Sequence, residues 1–456
     1  MSQSISAKEI DKKTVTGSWL GKISAGAMKL RVIFNLSVVD KDSLVATLDS
    51  PDQGVKGIRL GPVTFTGKTI KISAGALMAE YNGTIINDTL IEGTWVQAGS
   101  SHVLNLVKQK AALIINRPQE PLGPYPYTAE DVIFINNSFE IELAGTLTIP
   151  FGQGPFPAVV MITGSGPQNR DEELMGHKPF LVIADFLSRN GIAVLRYDDR
   201  GVAKSQGNFT TATSADLATD AEAAFQFLRS NPKIDPAAIG LIGHSEGALI
   251  AAIAATSNSD ISFIISLAGT GVRGDKIIHR QSADIGRTSG VDEKKIKESI
   301  STNKKLYKIL KKEPDNNIAS EKMLARYKKI ITKKKSSTEE IEKAVQQIQA
   351  GLSPDALTWF RYFITTDPAN YWKKVNCPVL ALNGDKDLQV AADVNLKAIM
   401  KAMKKGGNKS IETIRYPGLN HLFQHCTTGL PSEYGKIEET FSTEVLKAMA
   451  DWIPDQ

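Results

Sequence analysis

A chain of 456 residues, 42% of them hydrophobic and 23% charged, is long enough to bury the cores of two or three domains. No apolar run approaches the roughly 20 residues that span a bilayer, so we expect no membrane-spanning helix. Two cysteines, Cys377 and Cys426, exclude a disulfide framework and a cysteine-rich zinc module.

The chain begins MSQSISAKEIDKKTVTGSW, which has no apolar core of the kind found in a signal peptide. The same residues could begin a mature chain to which a methionine has been added. A fused β-domain also favours an exported protein, periplasmic or secreted. The sequence therefore leaves the compartment open.

Residues 1–116 predict a small all-β domain. Segments such as KLRVIFNLSVV, SLVATLDS and HVLNLVKQ alternate, carry β-branched side chains and are separated by Gly, Asn and Asp. We expect a sandwich or a barrel. An alternative function from another class is glycan or polymer binding by this domain. Trp19 and Trp95 would then stack on the ligand, although tryptophans in small β-domains usually belong to the core.

Four prolines within RPQEPLGPYPY mark residues 117–127 as a semi-rigid linker, because proline fixes φ and cannot donate to a sheet ladder. From 128 to 274, and again from 373 to 456, apolar runs that end in Gly, Asp, Ser or His alternate with helical segments. That pattern predicts an α/β domain with a mainly parallel sheet whose strands are covered on both faces.

Residues 275–372 interrupt this rhythm with Lys- and Glu-rich helical segments, which predicts a helical lid or cap inserted in the α/β domain. Within it, residues 291–335 hold fifteen Lys/Arg against six Asp/Glu. Such a block can bind nucleic acid. We interpret it as the solvated face of charged helices and expect no nucleic-acid partner. An aromatic cluster near the end is expected to be mainly core, with some members lining a substrate pocket: Trp359, Phe360, Tyr362 and Phe363.

The segment GLIGHSEGALI places Ser245 between Gly243 and Gly247, after an apolar run and before a stretch of small residues. G-x-S-x-G between a strand and a helix is typical of a nucleophilic serine, because small neighbours let the backbone bend sharply and let a substrate approach Oγ. The alternative is an ordinary helix-capping serine. In the first interpretation His244 is only the variable position of the motif.

A nucleophilic serine needs a base and a carboxylate that orients the base. LALNGDKD ends a later strand with Asp385 and Asp387, and IRYPGLNHLF ends the next with His421, so the partners follow in the order serine, acid, histidine. From about residue 130 the chain resembles the α/β-hydrolase fold serine esterases, in particular bacterial carboxylesterases, some of which carry an extra N-terminal β-domain. The resemblance lies in the motifs RYDDRGVAKSQG, GHSEG, NGDKDLQV and PGLNHLFQ.

The resemblance implies an α/β-hydrolase fold with a helical cap insertion, preceded by the all-β domain. It also implies that the acid is Asp387, the last residue of a G-x-x-D pattern, with Asp385 as the alternative. An oxyanion hole needs backbone amides, of which one is expected from Glu246, directly after the nucleophile. The other is expected from Ser165, with Gly166 as the alternative, in TGSGPQNRDE, where the family more often has His-Gly.

Together these residues predict a serine hydrolase that cleaves carboxylic esters, short-chain acyl or aryl esters, through a Ser-His-Asp triad and an acyl-enzyme. A thioesterase, peptidase or amidase with the same triad is an alternative. We expect no cofactor and no metal, because His425 and Cys426 near the base have no third ligand at a metal-binding spacing. The expected partner is a small-molecule ester, and the oligomeric state stays open.

Overall fold

The structure, a computed structural model, describes residues 11–25, 28–39, 43–50, 55–97, 100–109, 116–333 and 337–456. The chain divides into two compact units. The first comprises the residues up to Arg117 together with 174–177, and the second comprises the remainder. None of the helices described is long and apolar enough to cross a membrane.

The first unit is an all-antiparallel β structure. Its described residues form a one-turn helix and ten strands: α1 (Lys12–Val15), β1 (Gly17–Ala25), β2 (Met28–Val39), β3 (Ser43–Ser50), β4 (Val55–Arg59), β5 (Val63–Phe65), β6 (Thr69–Ala74), β7 (Ala79–Ile85), β8 (Leu90–Gln97), β9 (Ser100–Val103) and β10 (Leu106–Lys108). They pair in the order β4-β3-β2-β1-β10-β8-β7-β6-β5, with β9 against β8. Every second residue of β3 and of β6 is buried, as expected where one face of a strand covers a core.

This sheet curls around a single core. The ring of Phe34 on β2 lies 5.3 Å from that of Tyr81 on β7 and 5.9 Å from that of Trp95 on β8, between centroids. A flat sheet would hold β2 and β7, four steps apart, about 19 Å from each other. The unit is therefore one curled sheet and not a sandwich of two. Trp19 and Trp95 are 0% and 2% exposed, so the interpretation of them as glycan-stacking residues is wrong.

The second unit is built on an eight-stranded, mainly parallel sheet. Its strands are β11 (Tyr127–Asn136), β12 (Ile141–Pro150), β13 (Phe156–Ile162), β14 (Ala193–Tyr197), β15 (Ile234–His244), β16 (Ile264–Leu267), β17 (Val379–Gly384) and β18 (Ile411–Tyr416). They pair in the order β11-β12-β14-β13-β15-β16-β17-β18. Strands β11 and β12 form an antiparallel hairpin, and β12 also pairs with β14 in antiparallel orientation. The other neighbouring strands are parallel. This is the α/β-hydrolase fold, which confirms the expected fold class.

Helices follow and separate these strands. In the described residues they are α2 (Pro179–Arg189), α3 (Ser214–Arg229), α4 (Glu246–Ser257), α5 (Gly274–Thr288), α6 (Glu293–Lys312), α7 (Asn316–Thr332), α8 (Thr338–Gln349), α9 (Pro354–Thr365), α10 (Ala369–Trp372), α11 (Ala392–Lys405), α12 (Pro431–Tyr434) and α13 (Thr443–Trp452). Helices α5 to α10 all lie between β16 and β17 in the chain, and we refer to them as the cap.

Side chains on β13 show how the two faces of the second sheet are filled. Ala158, Val160 and Ile162 pack in a cluster with α3, α4 and α11, whereas Val159 and Met161 pack in another with α2 and α13. All five are buried. Because both faces are covered, the strand has no polar face, and this explains the uniform apolarity of its sequence.

The cap has a core of its own. Leu310, Ala319, Leu357 and Ile364, from α6, α7 and α9, are each 0% exposed and belong to one cluster. Lysines on the opposite side of α6 are exposed, Lys304 among them. The cap helices are therefore amphipathic elements packed on one another, with their charges turned toward solvent.

Candidate active site

Ser245 sits on a strained turn between β15 and α4. Its backbone has φ 54° and ψ −113°, a left-handed φ that residues other than glycine rarely adopt. Its amide donates a hydrogen bond to the carbonyl of Leu267, at 2.8 Å, which anchors the turn to β16. The side chain is half-buried. A strand-to-helix turn of this kind presents the serine hydroxyl at the carboxyl edge of the sheet.

The two glycines of the motif are required by close backbone contacts. A Cβ added to Gly243 would lie 2.2 Å from the carbonyl oxygen of Gly247, and one added to Gly247 would lie 2.3 Å from that of Ile162. Real Cβ atoms do not approach this closely. Glycine at both positions therefore lets α4 start directly against β13 and β15.

His421 and Asp387 form a buried pair beside this turn. Nδ1 of His421 lies 2.7 Å from Oδ2 of Asp387, and the two residues are 6% and 4% exposed. The other oxygen of Asp387 accepts the amides of Gln389 and Val390, both at 2.8 Å. These two amides fix the carboxylate, so the imidazole is held by an acceptor that cannot rotate away.

Sequence order and sheet order bring the three residues to one edge. Ser245, Asp387 and His421 follow β15, β17 and β18, which are parallel and therefore end on the same side of the sheet. Asp385, the alternative acid, is exposed, and its carboxylate accepts the amide of Gly418 at 2.7 Å in a turn. The structure thus brings Asp387 to the histidine and leaves Asp385 apart.

The loop after β13 holds the expected oxyanion residue Ser165. The amide of Gly164 donates to Oε1 of Glu172 at 2.8 Å and is thereby occupied. Among the described residues no acceptor contacts the amide of Ser165 or of Gly166. Amides without a protein partner beside a serine can receive a developing negative charge, and Gly166, with φ +96°, lies one residue further along.

A buried carboxyl group, that of Asp199, holds the loop after β13 in place. Asp199, which follows β14, accepts the hydroxyl of Thr163 at 2.7 Å and the amide of Gln168 at 2.9 Å. Burial above all, together with the charges of Glu172 and Asp220, raises the pKa of Asp199 to about 8, although these two hydrogen bonds lower it. Asp199 therefore braces the loop after β13.

His244 has a buried carboxylate, that of Glu172, as a partner, and the prediction from sequence missed this pair. Its Nδ1 lies 2.9 Å from Oε1 of Glu172, and its Nε2 lies 3.0 Å from the backbone carbonyl of His421. The rings of His244 and His421 are 4.7 Å apart, between centroids. Burial lowers the pKa of His244, but the charge and hydrogen bond of Glu172, the carbonyl of His421 and the charge of Asp387 outweigh it, so the pKa is raised.

Both ring nitrogens of His244 thus face oxygens that only accept hydrogen bonds, and the imidazolium satisfies both. His244 is therefore more than the variable position of G-x-S-x-G. The sequence did contain a signal for this role, because a titratable side chain that ends a buried apolar run must find a partner. Glu172, 72 residues earlier in the chain, carried no such signal.

Residues 178–425, more than half of the chain, match the model of the serine aminopeptidase (S33) family. The chain belongs to this family. Together with the fold, the match confirms the resemblance to the α/β-hydrolase serine enzymes at the level of fold and family. Four of the five candidate site residues, Ser245, Glu246, Asp387 and His421, lie within the matched stretch, whereas Ser165 precedes it.

Known proteins with related sequence or structure include two esterases and a dienelactone hydrolase. Esterase EstD from Thermotoga maritima is 29% identical over 286 residues, which are 61% of this chain and 58% of the esterase. The match thus spans less than two thirds of that relative. Among solved structures, the Pyrococcus furiosus esterase Pf2001 is 15% identical and aligns over 76% of this chain and 98% of its own, with a TM-score of 0.45. The dienelactone hydrolase from Anabaena variabilis is 15% identical and aligns over 73% and 99%, with a TM-score of 0.39.

Proposed function

We propose that the protein hydrolyses carboxylic esters, with short acyl or aryl groups, through a triad of Ser245, His421 and Asp387. The observation that supports this most directly is the buried 2.7 Å pair of His421 and Asp387 at the sheet edge where the strained turn presents Ser245. A helix-capping serine would need neither the left-handed φ nor the pair. No side-chain capping bond is made by Ser245 at α4.

The proposed reaction begins with attack of Ser245 Oγ on the ester carbonyl. Nδ1 of His421 is engaged by Asp387, which leaves Nε2 to accept the proton of the hydroxyl. Asp387 stabilises the imidazolium and holds the ring in orientation. Collapse of the tetrahedral intermediate breaks the bond to the alcohol, which leaves with the proton returned by His421. Water, activated by the same histidine, then hydrolyses the acyl-enzyme.

The negative charge of the tetrahedral intermediate goes to the amides of Ser165 and Glu246 in this proposal. Preorganised amides beside a partly buried serine stabilise such a charge more than water does, because they need no reorganisation during the reaction. Gly164 is excluded from this role because Glu172 occupies its amide.

Two observations favour different acyl substrates. The relative from Thermotoga maritima is named an esterase, which favours esters, whereas the matched family is described as serine aminopeptidases, which favours amide bonds of short peptides. Both use the same triad chemistry. Values of kcat/KM for matched ester, thioester and amide substrates with one acyl group decide between them, and we expect the aryl ester to be preferred.

A fluorophosphonate probe followed by peptide mapping tests the nucleophile. We expect a single adduct on Ser245, and we expect Ser245→Ala to lower kcat for aryl esters on the order of 10⁶-fold. Ser257→Ala, at the exposed end of the same helix α4, is the matched control and should retain wild-type labelling and turnover. Full turnover by Ser245→Ala would contradict the proposal.

A further inference from the structure

The side chain of Glu246 is a buried carboxylate whose described hydrogen-bond partners are all neutral. The residue is 1% exposed. Its Oε2 accepts the hydroxyl of Ser165 at 2.6 Å, and its Oε1 accepts the hydroxyl of Ser214 at 2.6 Å. The indole Nε1 of Trp359 donates to both oxygens, at 2.8 and 3.1 Å.

The three donors come from three separate parts of the second unit. Ser165 lies in the loop after β13, Ser214 is the first residue of α3, and Trp359 lies on cap helix α9. A carboxylate removed from water is costly unless hydrogen bonds replace its hydration. The position of this carboxylate therefore depends on the loop after β13, on α3 and on α9, and its hydrogen bonds link the three to one another.

Cap residues on either side of Trp359 tie the indole to the rest of α9. Its ring stacks on that of Phe363, with centroids 5.1 Å apart and planes inclined by 13°, and lies 6.2 Å from that of Phe360. Phe360 in turn meets Tyr307 of α6 edge-on, at 5.3 Å. A displacement of α9 would consequently move the indole and withdraw its N–H from Glu246.

We propose that Glu246 is a positioning residue that couples the cap to the oxyanion hole. This rests on the proposed function, in which the amides of Ser165 and Glu246 hold the oxyanion. The side chains of these two residues are joined by the 2.6 Å hydrogen bond, so the carboxylate sets the distance between the two amide donors. Trp359 is the third donor to the carboxylate of Glu246. The amides of Ser165 and Glu246 therefore reach the separation needed to hold the oxyanion only when α9 is in place. The implied substrates are esters small enough for α9 to keep its contact with Glu246 while they are bound.

The test separates oxyanion stabilisation from ground-state binding. Glu246→Gln and Trp359→Phe are compared with wild type in kcat and KM for an aryl ester, and in Ki for an aryl trifluoromethyl ketone, whose serine adduct carries the oxyanion. Each rate is normalised to the active fraction, titrated to completion with a fluorophosphonate. For Glu246→Gln we expect kcat to fall and Ki to rise by the same factor, about tenfold to hundredfold, with KM little changed.

Trp359→Phe removes one donor and should shift kcat and Ki in the same directions by a smaller factor. The double variant Glu246→Gln with Trp359→Phe should be no worse than Glu246→Gln alone, because both changes break one network. Trp452→Phe is the matched control. That ring packs edge-on against Phe263 from α13, away from Glu246, and its replacement should leave kcat and Ki unchanged.

Loss of folding by Glu246→Gln would leave Ser165→Ala as the deciding variant, because it removes the hydroxyl and keeps the amide. It too should lower kcat and raise Ki. The proposal is overturned if KM changes while Ki does not, or if the effects of Glu246→Gln and Trp359→Phe add in full. Failure of the proposed function has a different signature, namely a wild-type protein that neither takes up the fluorophosphonate nor turns over an ester.

Discussion

At the scale of single residues, the pair of His244 and Glu172 places a buried cation next to the proposed base. The imidazolium donates to the backbone carbonyl of His421 and so supports the segment that carries the base. The same Oε1 of Glu172 accepts the amide of Gly164, so one carboxylate contacts both His244, which supports the proposed base, and the loop of the proposed oxyanion hole. A buried ion pair of this kind loses its role when either partner is neutralised.

Glu172→Gln tests this role. The neutral side chain of glutamine does not stabilise the imidazolium of His244 as a carboxylate does, so the pKa of His244 should fall. A neutral imidazole can donate a hydrogen bond from only one nitrogen. We expect kcat to decrease by about tenfold to hundredfold, because the backbone of His421 loses a donor and small displacements of a base are costly. Steady-state kinetics on an aryl ester measures this. Glu173→Gln, at the next position, is the control, and equal kcat in both variants would refute the role.

Asp199 makes the stability of the fold dependent on pH. Burial raises its pKa to about 8, whereas the ordinary value in an unfolded chain is 3.8. Between these values the folded state holds a proton that the unfolded state has lost, so the free energy of unfolding falls as the pH rises through this interval. One proton corresponds to a slope of at most about 1.4 kcal/mol per pH unit.

Asp199→Asn should flatten that slope, because asparagine resembles the protonated carboxyl group and does not titrate. Urea unfolding of both proteins at several pH values between 4 and 8 measures the difference. The variant should gain relative to wild type toward the alkaline end. A difference in free energy of unfolding that is constant across the interval would show that Asp199 does not titrate there.

At the scale of elements, the contact between α4 and β13 determines the position of Ser245, the proposed nucleophile. Gly247→Ala would place a Cβ 2.3 Å from the carbonyl oxygen of Ile162 and 2.6 Å from that of Thr163. Both obstacles are backbone atoms, so the start of α4 must move. We expect a loss of about 1–3 kcal/mol in the free energy of unfolding and a large fall in kcat, since Ser245 moves with the helix.

Gly351→Ala is the matched control for this substitution, because a Cβ there meets no atom within 4 Å. Its free energy of unfolding and its kcat should stay close to the wild-type values. Denaturant unfolding and ester kinetics on both variants give the comparison. A Gly247→Ala protein as active as the Gly351→Ala protein would mean that the close contact does not position the serine.

At the scale of the whole molecule, the two units have separate sheets and separate cores, and every candidate site residue belongs to the second. Trp19→Ala removes a side chain that is 0% exposed and donates to the carbonyl of Val15 at 2.8 Å. It should destabilise the first unit by about 3–5 kcal/mol. Hydrogen exchange should then lose protection in β1 and β2, while kcat stays within about twofold of wild type.

Trp372→Ala supplies the comparison in the second unit. That side chain is also 0% exposed, and its indole donates to the carbonyl of Thr270 at 3.0 Å. It should lower protection around β16 and α11 and reduce kcat as well. Equal loss of kcat in the two variants would show that the first unit contributes to turnover.

The sequence by itself determined the features that depend on local order along the chain. Strand ends and turn glycines follow from apolar periodicity and backbone sterics, which act between neighbouring residues. The order serine, acid, histidine can be read from the residues that end the strands, whereas the choice of Asp387 over Asp385 came from the resemblance. The mainly parallel α/β sheet was predictable for the same reason, because parallel strands covered by helices leave a readable apolar pattern. The resemblance of the motifs, and not this pattern, implied the α/β-hydrolase fold. The curled sheet of the first unit was left open between sandwich and barrel, since alternation reports one buried face and not how the sheet closes.

Tertiary structure alone decided which groups surround the proposed triad. Glu172 meets His244, Asp199 meets Thr163, and Trp359 meets Glu246 across 72, 36 and 113 residues of chain. No local pattern announces such partners, because a buried polar group is satisfied by whatever donor or acceptor the packing brings to it. The sequence could therefore indicate candidate reactive residues, and the packing of loop, core and cap decided which residues hold those candidates in place.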